Sequence, residues 1–167
     1  MTKKVTAFLV VIIAYLLQTT VFQHLQLANV VPNLLLVVVV SYAYLRGRTS
    51  GLLIGFLCGL ILDMHGGTVV GLYAFILMSI GFVVGFCQKF YFTDSLLLPA
   101  ILIVSSDFVY SIYYYVTEFL MRGRLHLGFY FLHVILPEMI YTGLIGIVLY
   151  RLIVSLEHFL TREREEV

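Results

Sequence analysis

Long runs of apolar residues without a charged side chain are the feature of this sequence that most restricts its fold. Such runs recur along the 167-residue chain, so that 62% of its residues are hydrophobic and only 11% are charged. A soluble domain is about 45–50% apolar and about 25% charged. The pattern therefore predicts an integral membrane protein. It excludes a disordered chain, a nucleic-acid binder with a basic patch and a disulfide-stapled secreted domain.

The apolar runs predict six membrane-spanning helices in a single all-α domain, because about 20 apolar residues cross a bilayer core of roughly 30 Å. The predicted spans cover residues 5–22, 32–46, 49–65, 69–87, 96–121 and 137–155. The second and third runs are short, and the alternative to two crossings is a re-entrant hairpin. A hairpin would place Arg46 and Arg48 at membrane depth, at a cost of about 2.5–3.5 kcal/mol each. This cost favours two crossings.

The last apolar stretch, residues 125–156, is too long for one plain span, and Pro137 divides it. Proline is tolerated in the first turn of a helix, and Glu138 would stabilise a helix N-terminus there. We therefore expect the sixth span to begin at Pro137, and residues 125–136 to form an interfacial or re-entrant segment. In the alternative the helix runs through Pro137, which would leave the carbonyl of His133 unpaired and kink the span.

The basic residues indicate the orientation, because Lys and Arg accumulate in cytoplasmic loops. With the N-terminus inside, two of the ten basic residues, Arg122 and Arg124, lie outside. The other eight lie on the cytoplasmic side: Lys3, Lys4, Arg46, Arg48, Lys89, Arg151, Arg162 and Arg164. The sequence therefore predicts that both termini are cytoplasmic.

Glycines recur at every fourth position into the third run, at Gly47, Gly51, Gly55 and Gly59. On a helix they form one bare ridge, on which a second backbone can pack closely. We interpret the ridge as a contact within the chain, with Gly81 and Gly85 as the complementary face. Contact with a partner protein is the alternative.

Acidic residues mark two further positions. Asp63 continues the glycine face by one turn, where its carboxylate can accept hydrogen bonds from loop N–H groups or bind a partner. Asp107 lies inside the fifth run and shares a helical stripe with Tyr114 and Glu118, and Glu118 can pair with Arg122 four residues later. The stripe is an internal polar seam, a partner surface or a ligand cavity. The candidate helix-packing or partner-interface residues are Gly51, Gly55, Gly59, Asp63, Asp107, Tyr114, Glu118, Arg122 and Glu138.

Sequence motifs for catalysis are missing. The chain contains no GxSxG, HExxH, P-loop or dinucleotide fingerprint, and its five histidines show no metal-ligand spacing. Asp63 does not follow a GxG sequence, as the aspartate of an intramembrane aspartyl protease would. We therefore expect no catalytic residue, no metal, no cofactor and no nucleic-acid partner.

Several motifs together resemble the family of the rod shape-determining protein MreD. They are Pro32-Asn33-Leu34-Leu35, the glycine ridge followed by Leu60-Ile61-Leu62-Asp63, Gly71 and Gly85, Thr117-Glu118-Phe119-Leu120, and Pro137-Glu138. The resemblance covers nearly the whole chain, and its most distinctive part runs from Pro32 to Gly85.

The resemblance implies a bacterial inner-membrane scaffold of the cell-elongation machinery, without catalytic residues. Its implied partners are MreC, the actin-like MreB, and the cell-wall polymerase RodA with its penicillin-binding transpeptidase. It also implies a six-helix arrangement like that of the substrate-binding subunits of energy-coupling factor transporters. The alternative function is a vitamin-binding transporter subunit, although the first run lacks the AxxxA face of such subunits, since Ala7 and Ala14 are seven residues apart.

Overall fold

A computed structural model describes residues 2–26, 29–66, 70–90, 95–117 and 127–165. Within these ranges the chain forms helices and no β-strand, which confirms the all-helical class. Helix α1 spans Thr2–Leu16 and continues through a π-helical turn, Leu17–Val21, to Phe22–His24. Helices α2 to α5 cover Leu34–Arg46, Arg48–Gly66, Leu72–Val84 and Leu97–Tyr115. A 3-10 turn, Gly85–Phe90, extends α4. Helix α6 comprises Leu127–Tyr130, a π-helical turn, Phe131–Ile135, and Leu136–Glu165.

Four helical segments in the described ranges are long and apolar enough to cross a membrane. They are Lys4–His24, Leu72–Phe90, Leu97–Tyr115 and Gly128–Arg162, and the apolar helix α2 is shorter. The fold is therefore that of a polytopic membrane protein. The number of crossings and the cytoplasmic location of both termini remain predictions.

The start of the last helix differs from the prediction. We expected a separate helix to begin at Pro137, whereas residues 127–165 form one continuous helical run. The chain passes Pro137 within the helix because the preceding turn is π-helical, with the N–H of Leu136 bonded to the carbonyl of Phe131. This wider turn changes the hydrogen-bond register just before the residue that lacks an N–H.

Helix α2 forms the centre of the bundle. Every residue from Leu34 to Tyr44 is buried, and α2 contacts each of the other five helices. A helix that is apolar around its whole circumference must be buried, either in lipid or among other elements of the protein. The leucines and valines of α2 are buried among the other helices. The hydroxyl group of Ser41, the polar side chain in this run, donates a hydrogen bond to the carbonyl of Val37 at 2.7 Å.

The N-terminus of α2 lies among other helices, where its first N–H groups need protein acceptors. Asn33 Oδ1 accepts the N–H of Leu36 at 3.2 Å, and Gln18 Oε1 of α1 accepts the N–H of Leu35 at 3.1 Å. The N–H of Asn33 itself donates to the hydroxyl of Thr142 on α6 at 3.2 Å. Side chains from two other helices therefore fix the point at which α2 begins.

An ion pair lies at the opposite end of α2. Arg46 pairs with Glu157 on α6, and both side chains are mostly buried, at 17% and 15% exposed. The guanidinium also lies over the ring of Tyr42, 4.8 Å from its centroid, which is a favourable cation–π arrangement. The chain leaves α2 at Gly47, whose φ of 89° favours glycine.

Replacing Arg46 with alanine should lower the free energy of unfolding by about 1–3 kcal/mol, because the mostly buried carboxyl group of Glu157 would lose this partner. Combining Arg46→Glu with Glu157→Arg should recover most of that loss. Thermal unfolding in detergent micelles measures both effects. Equal stability of Arg46→Ala and the wild type would show that the pair does not hold α2 to α6.

Candidate functional site

Helices α3 and α4 approach each other until their backbones touch, along what we call the glycine seam: Gly51, Gly55 and Gly59 of α3 with the facing backbone of α4. A β-carbon at Gly55 would overlap the carbonyl of Leu77, and one at Gly51 would overlap the carbonyl of Gly81. At Gly59 the backbone of α4 is again the obstacle. The predicted ridge thus contacts a helix of the same chain.

The facing side of the seam, on α4, also contains glycines. A β-carbon at Gly81 would overlap the carbonyl of Gly51, and one at Gly85 would overlap the backbone of Arg48 at the start of α3. Gly81 and Gly85 are both buried. Because the seam is filled from both sides, its glycines are not available to another protein in this fold.

Asp63 lies one turn beyond the seam and is only 3% exposed. Its two carboxylate oxygens accept the N–H groups of Tyr73 at 3.1 Å and of Ala74 at 3.0 Å. Both N–H groups belong to the first turn of α4 and have no acceptor within that helix. The negative charge also complements the helix dipole. Asp63 therefore caps α4, and the groups it binds are helical rather than loop N–H groups.

Replacing Gly55 with alanine should destabilise the protein by about 1–3 kcal/mol, because the added methyl group would force α3 and α4 apart. The matched control is Gly128→Ala on α6, where a β-carbon would meet no atom within 4 Å. Thermal unfolding of the two variants in the same detergent measures the difference. If both lost the same stability, the close backbone contact would be wrong.

Replacing Asp63 with alanine should cost about 1–2 kcal/mol, the usual magnitude for the loss of an N-terminal cap. The backbone N–H groups of Tyr73 and Ala74 should then exchange with deuterium faster than in the wild type. Met64→Ala serves as the control, because the neighbouring Met64 side chain is 87% exposed. Unchanged exchange at the first turn of α4 would contradict the capping role.

A polar cavity of about 350 Å³ lies at the end of the bundle where α2 begins. Tyr114 of α5 and Glu138 of α6, two of the predicted residues, both line it. Ser111 donates to Glu138 Oε2 through a long hydrogen bond of 3.5 Å. Other polar side chains of the lining include those of Gln18, Asn33, Tyr110 and Tyr130. The polar cavity therefore collects groups from α1, α5, α6 and the residues before α2.

Asp107 lies on α5 one helical turn before Ser111, and it is completely buried. Neither of its carboxylate oxygens has a hydrogen-bond partner among the described residues. The side chain of Thr142 is close enough to interact with this carboxyl group, but not in hydrogen-bonding geometry. Burying a carboxyl group without a hydrogen-bond partner costs free energy. Ionisable residues inside membrane segments usually have a functional role.

Tyr73 connects the Asp63 cap of α4 with the tyrosines of the polar cavity. Its backbone N–H binds Asp63, while its ring centroid lies 6.2 Å from that of Tyr110 and 6.3 Å from that of Tyr114. No sequence motif pointed to Tyr73, or to Gln18 and Thr142 at the start of α2. Gln18 and Thr142 carried a signal, since each is a polar residue inside an apolar run. Tyr73 carried none, because it is one of twelve tyrosines.

The remaining predicted residues give a mixed outcome. The structure brings Asp107, Tyr114 and Glu138 towards one end of the bundle, while Glu118 and Arg122 lie outside the described residues. In the ranges that the structure describes, no three His, Cys, Asp or Glu side chains are grouped to hold a metal ion.

The family model described as rod shape-determining protein MreD matches residues 2–160, nearly the whole chain. No curated protein matches the sequence, and no solved structure matches the fold.

Proposed function

The chain belongs to the MreD family of rod shape-determining proteins, and from this premise we propose that it is a non-enzymatic scaffold in the bacterial inner membrane. In this proposal it serves the machinery that synthesises peptidoglycan during cell elongation. Its first partner is the membrane anchor of MreC, and MreB, RodA and the associated transpeptidase are neighbouring components. The family match does not support the alternative of a vitamin-transporter subunit.

The family match over residues 2–160 is the observation on which this proposal depends. The helical fold supports it, because nearly every described residue belongs to a helix and four helical segments suit a membrane crossing. A protein of this kind recognises partners chiefly through helix surfaces in the bilayer, where close packing and a few polar contacts drive association.

We place the partner contact on the lipid-facing side of α1, since the glycine seam is occupied within the chain. Among the four candidate spans α1 is the least enclosed, with 17% of its apolar window buried against 33–39% in the others. Ala7, Val11 and Ala14 face the core. The opposite side of α1 exposes Val5, Phe8, Leu9, Ile13 and Leu16.

The double substitution Phe8→Ala with Ile13→Ala should reduce the amount of MreC that co-purifies from membranes by roughly fivefold, which corresponds to a loss of about 1 kcal/mol from the two trimmed interface side chains together. The matched control is Leu144→Ala with Val148→Ala, which trims two exposed apolar side chains of α6. Equal recovery of MreC with both double variants would refute the α1 surface. Failure of the wild-type protein to retain MreC would refute the partner itself.

A further inference from the structure

The polar cavity has a chemical character that the scaffold function does not use. Its described lining contains the carboxylate of Glu138 and three tyrosines, Tyr110, Tyr114 and Tyr130, and no Lys, Arg or His. A volume of about 350 Å³ is at the small end of the range for ligand pockets. The cavity is therefore large enough for an amino acid or a lipid headgroup, and its described lining offers no basic side chain to hold a purely anionic ligand.

Glu138 is the group that would hold a cation. The one hydrogen bond of its carboxylate to a described residue is the long contact from Ser111, at 3.5 Å, so most of its acceptor capacity remains available. The tyrosines that line the same cavity have aromatic rings, whose faces attract a positive charge. A primary ammonium, with three donors, matches a carboxylate and neighbouring hydroxyl oxygens better than a cation without N–H groups.

Gln18 and Asn33 supply hydrogen-bond donors for an anionic group. Their side-chain oxygens are committed to the N–H groups of Leu35 and Leu36, which leaves their amide NH₂ groups as donors. Neither NH₂ group makes a hydrogen bond to another described residue. The first turn of α2 lies directly behind them and contributes the partial positive charge of a helix N-terminus. These donors suit a carboxylate or a phosphate.

We propose that the polar cavity binds a small zwitterionic amine, with its ammonium group at Glu138 and the tyrosines and its anionic group at the amides of Gln18 and Asn33. Two sources present this chemistry: a soluble amino acid and the headgroup of an ethanolamine phospholipid. This binding is independent of MreC, and no transport step is part of it.

Ligand-observed NMR tests the proposal with the full chain in nanodiscs of phosphatidylcholine and phosphatidylglycerol. The zwitterionic probes are L-alanine and glycerophosphoethanolamine, and the single-charge comparators are ethanolamine and glycerol phosphate. Saturable binding of alanine identifies a soluble source, and binding of glycerophosphoethanolamine alone identifies the lipid headgroup. The absence of saturable binding by either zwitterion, or equally tight binding of a single-charge comparator, would overturn the proposal.

Two substitutions assign the binding to the cavity. Glu138→Gln keeps the shape of the side chain and should weaken the zwitterion by about tenfold or more, since hydrogen bonds to charged groups are the strong ones. Gln18→Glu keeps an oxygen for the N–H of Leu35 but replaces the NH₂ donors with a negative charge, and it should weaken binding as well. Gln23→Glu, the same exchange at an exposed position of α1, is the control and should bind like the wild type. Unchanged affinity in Glu138→Gln, with thermal stability retained, would overturn the assignment.

Discussion

The hydrogen-bonding requirement of one short helix determines how this bundle is assembled. Helix α2 begins among other helices, and in an apolar environment an unpaired backbone N–H costs several kcal/mol. Asn33 satisfies one such group locally, but Leu35 depends on Gln18 from α1, and Thr142 of α6 anchors Asn33 itself. The positions of α1 and α6 are therefore tied to the start of α2, around which the other helices pack.

Close backbone contact is the second constraint. The glycine seam joins α3 and α4 so tightly that no side chain fits between them, and Asp63 joins the same two helices at the end of the seam. These features stabilise the protein from within. The glycine ridge is the most conspicuous motif of the sequence, but it is occupied within the chain. For this member of the MreD family, we therefore expect partner recognition on lipid-facing surfaces such as that of α1.

Local patterns in the sequence predict much of this structure. Apolar runs locate the helices, and the four-residue glycine spacing predicts a face that fits Gly81 and Gly85, since helical periodicity alone determines it. Contacts between distant residues have no such signature: nothing in the sequence indicates that Glu138 and Ser111 meet at one cavity, or that Gln18 caps a helix seventeen residues later. The expectation of a new helix at Pro137 fails for a related reason, because a π-helical turn can absorb a proline and a sequence pattern does not reveal that turn.

The dependence of α2 on Gln18 can be measured most directly by backbone hydrogen–deuterium exchange, in nanodiscs, of the wild type and of Gln18→Leu. The leucine variant keeps the bulk of the side chain and removes the acceptor. We expect exchange at the N–H of Leu35 to accelerate by about tenfold or more, the equivalent of one lost hydrogen bond, while Ser41 in the middle of α2 is much less affected. Equal exchange at Leu35 in both proteins would contradict the view that α1 fixes the start of the central helix.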